Sequence, residues 1–242
     1  MKRYWRAVGL FVLLGLTACQ NSHQPSDQLS SAAMAKNRAA VQTLITQPVQ
    51  QEALYFAADG QYSNTPVAGG YYRQVLGKTA AGNWVAQDFY QATKTKQTDP
   101  FVIVHPEGLR NFDNDVVDGW VVWYRPDGSL LQTQAFQRGK ATGWLNVYDP
   151  HGRLRSSEAY ANGEATGELR YFDAKGRKQM EQGSNAAHQV TQTFWYDNGN
   201  AAIEVVGDSS LKGWQRNGEA LNEDQVAALW EYLESLLYQE PN

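Results

Sequence analysis

Cysteine is nearly missing from this sequence, and so are the residue groupings that enzymes and metal sites use. The 242 residues include one cysteine, so the chain cannot form an internal disulfide. None of the four histidines has a second histidine, a cysteine or a paired acid at metal-ligand spacing. The Gly-x-Ser-x-Gly motif and the phosphate-binding loop motif are also missing. We therefore predict a protein that is not an enzyme and that holds no cofactor or metal ion.

Positive charge is in deficit as well. The chain has 21 Lys and Arg residues against 25 Asp and Glu residues, and Lys2, Arg3 and Arg6 lie at its very start. Without these three, 18 basic and 25 acidic residues remain, for a formal net charge of −7. A mildly acidic chain without a basic stripe is a poor candidate for nucleic-acid binding. We expect no nucleic-acid partner.

The apolar run at the start of the chain is too short to span a membrane. Residues 7–16 are almost entirely apolar and follow the basic residues, and small residues then lead to Cys19 in Leu16-Thr17-Ala18-Cys19. A run of about ten residues suits the core of a signal peptide, whereas a spanning helix needs roughly 20. The segment therefore predicts export of the chain.

This segment resembles the lipobox of bacterial lipoproteins. The resemblance implies that residues 1–18 are a signal peptide, that the chain is cut before Cys19 and that this cysteine is acylated. Residues 19–28 then comprise the lipidated cysteine and a polar tether, and Gln20 matches lipoproteins that are passed on to an outer membrane. We expect a membrane contact through the lipid on Cys19 and a location in the cell envelope, at the outer membrane. The alternative is an ordinary secretory signal or a buried apolar helix.

A 24-residue repeat organises the second half of the chain. Four blocks begin at residues 119, 143, 167 and 191, and each has an aromatic residue five positions later. A turn that ends in glycine follows each aromatic residue, as in Pro126-Asp127-Gly128. Glycine suits such turns because it adopts positive φ without steric cost. Each block predicts a β-hairpin, and stacked hairpins predict an antiparallel meander in which each unit contacts only its neighbours.

The pattern Gly-x-x-x-x-aromatic-x-x-x-Gly, followed by a strand that ends in Asn-Gly, resembles the variant MORN repeat, which also occurs in bacterial antitoxin-component-like proteins. It covers roughly residues 117–221. The resemblance implies an interaction module, and no catalytic residue comes with it. The third unit departs from the pattern after Gly176, where Lys178, Gln179 and Met180 replace a typical strand and residues 182–190 lack the closing Asn-Gly. We expect a loop or a distorted edge there.

Three further segments complete the chain. Residues 29–47 predict a helix, because they contain regularly spaced apolar residues and no glycine or proline. Residues 48–116 are β-rich and are expected to extend the same sheet as degenerate hairpins; a separate small β domain is the alternative. Residues 222–238 predict an amphipathic helix that begins with a capping box at Asn222 and packs on the last hairpin, a partner-binding helix being the alternative. The expected fold class is mainly β, an extended antiparallel meander of stacked hairpin repeats with an N-terminal helix and a C-terminal capping helix.

Strand alternation assigns the side chains of the repeats to two faces. We expect the better buried face to carry Val121, Trp123, Leu145, Val147, Leu169, Tyr171, Thr193 and Trp195. The opposite, mixed face supplies the candidate partner-binding residues Trp120, Tyr124, Trp144, Tyr148, Phe172, Phe194 and Tyr196. The alternative is that these aromatic residues are core beneath the terminal helices.

Two functions fit these features. In the first, the chain is a membrane-anchored envelope lipoprotein that acts as a non-catalytic protein-recognition module, of the immunity or antitoxin type, because Trp and Tyr commonly anchor protein contacts. In the second, it is a structural or assembly lipoprotein of the envelope that binds cell wall or lipid. Loss of a tight complex on mutation of Trp120, Trp144 or Tyr148 would favour the first function.

Overall fold

The computed structural model describes residues 29–207 and 210–237, so the lipobox-like segment, the tether and residue 238 lie outside the described residues. The described residues form a 15-stranded antiparallel sheet with a helix at each end, which confirms the predicted fold class. The helices are α1 (Ser31–Thr43) and α2 (Glu223–Leu237), with short 3-10 helices at Pro106–Arg110 and Asn114–Val116. The strands are β1 (Ile45–Pro48), β2 (Leu54–Phe56), β3 (Tyr62–Ser63), β4 (Tyr71–Thr79), β5 (Trp84–Tyr90), β6 (Phe101–Ile103), β7 (Val117–Tyr124), β8 (Leu130–Gln137), β9 (Lys140–Tyr148), β10 (Leu154–Ala161), β11 (Glu164–Phe172), β12 (Lys178–Ser184), β13 (Val190–Trp195), β14 (Ala201–Val206) and β15 (Ser210–Gly213).

The sheet is a continuous meander from β4 to β15, because each of these strands pairs with the next one along the chain. β1 and β2 both pair with β4, β1 with residues 77–79 and β2 with residues 71–73, and β3 pairs with β2. The strands within residues 48–116 therefore belong to the same sheet as the strands of the repeats.

The N-terminal helix is shorter than predicted. It ends at Thr43, and the last residues of the predicted helix, 45–47, belong to β1. The reason is a tertiary contact: β1 lies so close to Gly77 that an added Cβ there would be 2.5 Å from Ile45 Cγ2 and 2.6 Å from the Gln47 carbonyl oxygen. Glycine thus permits a strand pairing that helix propensity alone does not reveal.

Strand pairing divides the side chains of the repeats between two faces. We call "front" the face of Val122, Asn146, Ser157 and Arg170, and "back" the face of Val121, Val147 and Tyr171. The prediction that the back is the better buried face holds for Val121, which is buried, but it is wrong for the middle strands. Val122 and Asn146 are fully buried on the front, whereas Leu145, Val147 and Tyr171 on the back are only half-buried. On the back of the sheet, the loop that ends at Val116 covers one end and helix α2 covers the other. The hydrophobic clusters beneath these two segments do not include Leu145 or Val147, which lie on the strands between them.

The segment after Gly176 is a regular hairpin and not the expected loop or distorted edge. β12 and β13 pair without a bulge and are joined by residues 185–189. Gln182 and its partner Gln192 are 10 positions apart, whereas the equivalent pair in the preceding repeat, Glu158 and Leu169, is 11 positions apart. A one-residue difference exchanges the two faces of a strand. In β13 the back face therefore carries Phe194 and the front face Trp195, the reverse of the prediction.

Each terminal helix covers one end of the sheet. Val41 of α1 packs with Val85 and Val102 on the front of the N-terminal strands, and α2 packs on the back of the last strands. The predicted capping box is confirmed, since the Gln225 N–H donates to Asn222 Oδ1 at 3.0 Å and the Asn222 N–H donates to Gln225 Oε1 at 3.1 Å. Among the described residues, neither helix has the length and apolar character needed to cross a membrane.

A buried ion pair fastens the loop that follows β6 to the back of the sheet. Arg73 Nε and Nη2 donate to the two carboxylate oxygens of Asp88 at 2.7 and 2.9 Å. Arg73 Nη1 donates to the carbonyl oxygens of Gly108, Leu109 and Asn111 at 3.2, 3.3 and 2.8 Å. One guanidinium thus joins two strands and a loop.

Candidate functional site

Three of the seven aromatic residues predicted to contact a partner are core residues. Tyr148 and Phe172, which are 1% and 5% exposed, pack with Leu154 in a cluster at the edge of the front face. Phe194 is 3% exposed and lies under α2, where its ring meets Trp230 edge-on with the centroids 5.4 Å apart. The other side chains of these clusters shield the three rings from solvent, so we remove them from the candidate site.

Two more of the predicted residues, Trp120 and Tyr124, lie beside α1. The carbonyl oxygen of Trp120 accepts a hydrogen bond from Asn37 Nδ2 at 3.5 Å. The Tyr124 hydroxyl donates to Asp99 Oδ2 at 3.0 Å, and Arg38 of α1 contacts the other oxygen of that carboxylate at 3.3 Å. Burial raises the pKa of Tyr124, and the charge of Asp99 and this hydrogen bond raise it further. The Tyr124 hydroxyl therefore stays protonated and serves to fasten α1.

Tyr196 also has a structural contact. Its hydroxyl donates to the Trp214 carbonyl oxygen at 2.8 Å, and the Arg216 guanidinium lies 5.2 Å from its ring centroid. It belongs to the same cluster as Phe194 at the α2 end of the sheet. The structure therefore does not assemble the seven predicted residues into one surface.

The remaining predicted residue, Trp144, is half-buried on the front face and belongs to a different group of side chains. The guanidinium carbon of Arg170 lies 4.2 Å from the Trp144 ring centroid, and Arg170 Nε donates to Glu181 Oε1 at 2.8 Å. Lys178 Nζ donates to Glu181 Oε2 at 2.5 Å and lies 4.5 Å from the Trp195 ring centroid. We call these five residues the tryptophan–cation row. A tryptophan lies at each end of it, and three charged side chains of alternating sign lie between the two tryptophans.

The pairing register of the repeats determines which face of the sheet carries the row and which strands the row crosses. Arg170 on β11 is paired directly with Glu181 on β12, so their side chains share the front face. Trp144 on β9 and Trp195 on β13 end the row, which therefore crosses four strand spacings, or about 19 Å. The row lies on paired strands rather than on a loop, which keeps the relative positions of its side chains well defined.

Sequence reasoning missed four members of the row. Opposite charges at Arg170 and Glu181, on the two strands of one hairpin, are a cross-strand signal that is visible in the sequence. Trp195 carries no such signal, because its face depends on the one-residue difference in the β12–β13 connection.

Charge within the row is partly compensated. Burial acts most strongly on the Glu181 carboxyl and raises its pKa, but hydrogen bonds from Lys178 and Arg170, together with their charges, outweigh it and hold the pKa below its ordinary value. Glu181 is therefore ionised at neutral pH, and the row carries one net positive charge from Arg170, Lys178 and Glu181. The Arg170 side chain is 26% exposed, so solvent or a ligand can reach it.

A line of buried polar side chains crosses the neighbouring strands and ends at Arg170 of the row. Thr133, Asn146, Ser157 and Arg170 are paired in succession on β8 to β11, and the first three are fully buried. The Ser157 hydroxyl donates to Asn146 Oδ1 at 2.6 Å. A serine that is bonded to an amide oxygen lacks the adjacent base that activates a nucleophile. Within the described part of the chain, no group of three or more His, Cys, Asp or Glu residues is placed to hold a metal ion.

A separate cavity of about 390 Å³ opens between β15 and the start of α2. Its lining combines apolar side chains with one basic and one acidic residue: Leu211, Lys212, Gly213, Trp214, Ala220, Leu221, Glu223 and Val226. Val226 packs on the back face, so the cavity lies away from the row on the front face.

Comparison of the chain with protein-family models gives no match, and comparison with curated protein sequences gives none either. The resemblances to bacterial lipoproteins and to variant MORN repeats therefore stay predictions from the residues themselves.

Proposed function

We propose that this chain is a lipid-anchored module of a bacterial cell envelope, and that it binds a protein partner through the tryptophan–cation row without catalysing a reaction. The row itself carries this proposal. Tryptophan and arginine are the residue types most enriched among the side chains that dominate protein interfaces. Here two indoles, an arginine and a lysine lie half-exposed on one face of one sheet.

The row is also preorganised for binding. Arg170 is held by the Trp144 ring and by Glu181, and Lys178 is held by Glu181 and the Trp195 ring. Long basic side chains ordinarily lose rotamer freedom when a partner immobilises them, at about 0.5–1.5 kcal/mol each. Contacts already made in the free protein reduce this loss and favour recognition.

The envelope location is the part of the proposal that rests on the sequence alone. It depends on the lipobox-like segment that ends at Cys19. Several acyl chains on one residue hold a protein at a membrane firmly, because each buried CH₂ contributes about 0.8 kcal/mol. A partner in the same envelope would then meet the module at a membrane surface.

Affinity capture from solubilised envelopes tests the proposal. The baits are the full native chain, a Trp144→Ala variant and a matched Tyr232→Ala variant, which removes an aromatic residue that is 60% exposed on α2. We expect the native chain and the Tyr232 variant to retain one stoichiometric protein. Loss of an interface anchor costs about 2 kcal/mol or more, so the Trp144 variant should retain the protein about 30-fold less strongly.

Circular dichroism and thermal unfolding must first show that all three baits are folded. A partner that the Trp144 variant retains as well as the native chain does would refute the role of the row. If no bait retains any stoichiometric protein, recognition of a protein partner is wrong, and a structural or assembly role that involves cell wall or lipid replaces it.

A further inference from the structure

Arg170 has hydrogen-bonding capacity that the folded chain does not use. Its Nε donates to Glu181, but its two terminal nitrogens make no hydrogen bond to any described residue. The guanidinium is held against the Trp144 ring at 4.2 Å. Stacking and the Nε hydrogen bond together fix the plane of the group, so the terminal N–H groups are presented in a defined direction.

We infer that Arg170 receives one carboxylate, the side chain of a single Asp or Glu residue in an extended, otherwise apolar segment of the protein partner. This inference rests on the proposed function and names the chemistry of the partner. A planar guanidinium binds a carboxylate through two parallel N–H···O hydrogen bonds, an arrangement that a lysine ammonium cannot reproduce. Lys178, on the far side of Glu181, adds a second positive charge to the site.

The charges around Arg170 favour a single negative charge over a phosphate. Arg170, Lys178 and Glu181 sum to one positive charge, which a carboxylate neutralises. A phosphoryl group carries about −1.5 to −2 at neutral pH and would leave an excess of negative charge beside Glu181. Glu168, exposed two residues before Arg170 on the same face, repels either anion, and it repels the more highly charged phosphoryl group more strongly.

The two tryptophan side chains at the ends of the row indicate the length of the partner's segment and the residues that flank its acid. The row spans about 19 Å, the length of roughly six extended residues at 3.3 Å each. Trp144 and Trp195 offer half-buried rings to apolar side chains on either side of the acid. The matching ligand is therefore an extended stretch of about six residues with one central acid and apolar flanks.

Three pools of blocked six-residue peptides, applied to the immobilised full chain, test the inference. One central position holds Glu, Gln or phosphoserine, and the flanking positions are randomised among small and apolar residues, so that no single flanking sequence decides the result. We expect the native chain to retain the Glu pool about tenfold more than the Gln pool, because a hydrogen bond between ions is stronger than one to a neutral amide. Equal retention of the Glu and Gln pools, or stronger retention of the phosphoserine pool, would overturn the inference.

Two variants separate a binding role of Arg170 from a structural one. Arg170→Lys keeps the charge but removes the planar fork, and it should lower retention of the Glu pool at least about fivefold. Glu181→Gln removes the carboxylate that competes for Arg170 and Lys178, so it should raise retention of the same pool. A purely structural defect would lower retention in both variants, and that result would count against the inference.

Capture from solubilised envelopes distinguishes failure of this inference from failure of the proposed function. If the Arg170→Lys bait retains the partner as well as the native chain does while the Trp144→Ala bait loses it, the module binds a protein but not through a carboxylate on Arg170. If no bait retains a partner, the proposed function itself is wrong, and this inference is overturned with it.

Discussion

The substitution Asp88→Asn should destabilise the N-terminal part of the sheet strongly and leave the C-terminal part almost unchanged. The side chains of Arg73 and Asp88 are 3% and 5% exposed, and two hydrogen bonds of 2.7 and 2.9 Å join them. An Asn side chain has one acceptor oxygen and no charge, so the Arg73 guanidinium would remain buried without a counter-ion. Removing one partner of a buried ion pair costs about 3–5 kcal/mol.

The loss of stability should be confined to the N-terminal strands, because each strand of the meander contacts mainly its neighbours. Arg73 and Asp88 lie on β4 and β5, and the same guanidinium holds the carbonyl oxygens of residues 108–111. Native-state hydrogen exchange, followed by mass spectrometry, measures the opening free energy of each segment. In β4 to β6 and in residues 108–111, we expect the opening free energy to fall by about 3–5 kcal/mol. The fall will be smaller if the total free energy of unfolding is itself below this value. Strands β12 to β14 should change by less than about 0.5 kcal/mol.

Two further variants make this test specific. Asp113→Asn changes an exposed aspartate in the same loop and should alter stability by no more than about 0.5 kcal/mol. The double variant Arg73→Met with Asp88→Leu replaces the pair by apolar side chains, so it should recover much of the loss in the strands. The loop should stay less protected, because its carbonyl oxygens lose their donor. A loss below about 1 kcal/mol in Asp88→Asn, or an equal loss in both ends of the sheet, would refute the reasoning.

Two other expectations follow from single residues. Burial raises the pKa of the Asp149 carboxyl, but hydrogen bonds from Arg153 and His151 outweigh it and hold the pKa below its ordinary value. The ionised carboxylate therefore contributes stability that is present above the unfolded pKa of about 3.9 and is lost as the pH falls through the folded pKa. Asp149→Asn should cost about 1–2 kcal/mol in urea unfolding at pH 7, and the cost should shrink as the pH falls below the unfolded pKa; a cost that does not depend on pH would contradict this. Cys19→Ala should abolish incorporation of a palmitate analogue and move the chain out of the membrane fraction; continued labelling would exclude lipidation at Cys19.

Much of the fold could be read from local patterns in the sequence. The 24-residue spacing predicts the hairpins, and the turn glycines Gly128 and Gly152 do adopt positive φ, at 86° and 76°. The spacing of Asn222 and Gln225 predicts a capping box that the structure contains. These features involve residues within a few positions of one another, so propensity and periodicity suffice to find them.

The candidate site was harder to predict from the sequence by the same reasoning. Strand alternation identifies which residues share a face within one strand, but not which face becomes buried. Tyr148 and Phe172 have the aromatic character expected of contact residues, yet both are core. Of the predicted residues, only Trp144 takes part in the tryptophan–cation row. Arg170 could have been found from its cross-strand partner, because opposite charges on one hairpin are visible without a structure.

The sequence by itself determined the mainly β class, the repeating hairpins and the capped C-terminal helix, since each depends on short-range chemistry. Only the tertiary structure decided the end of α1 at Thr43, the burial of the front face and the position of Trp195. The end of α1 depends on pairing between β1 and β4, which are distant in the sequence, and the position of Trp195 depends on the exact register of one hairpin. Side chains alternate with a period of two, so a difference of one residue in a single connection moves Phe194 into the core and brings Trp195 to the row.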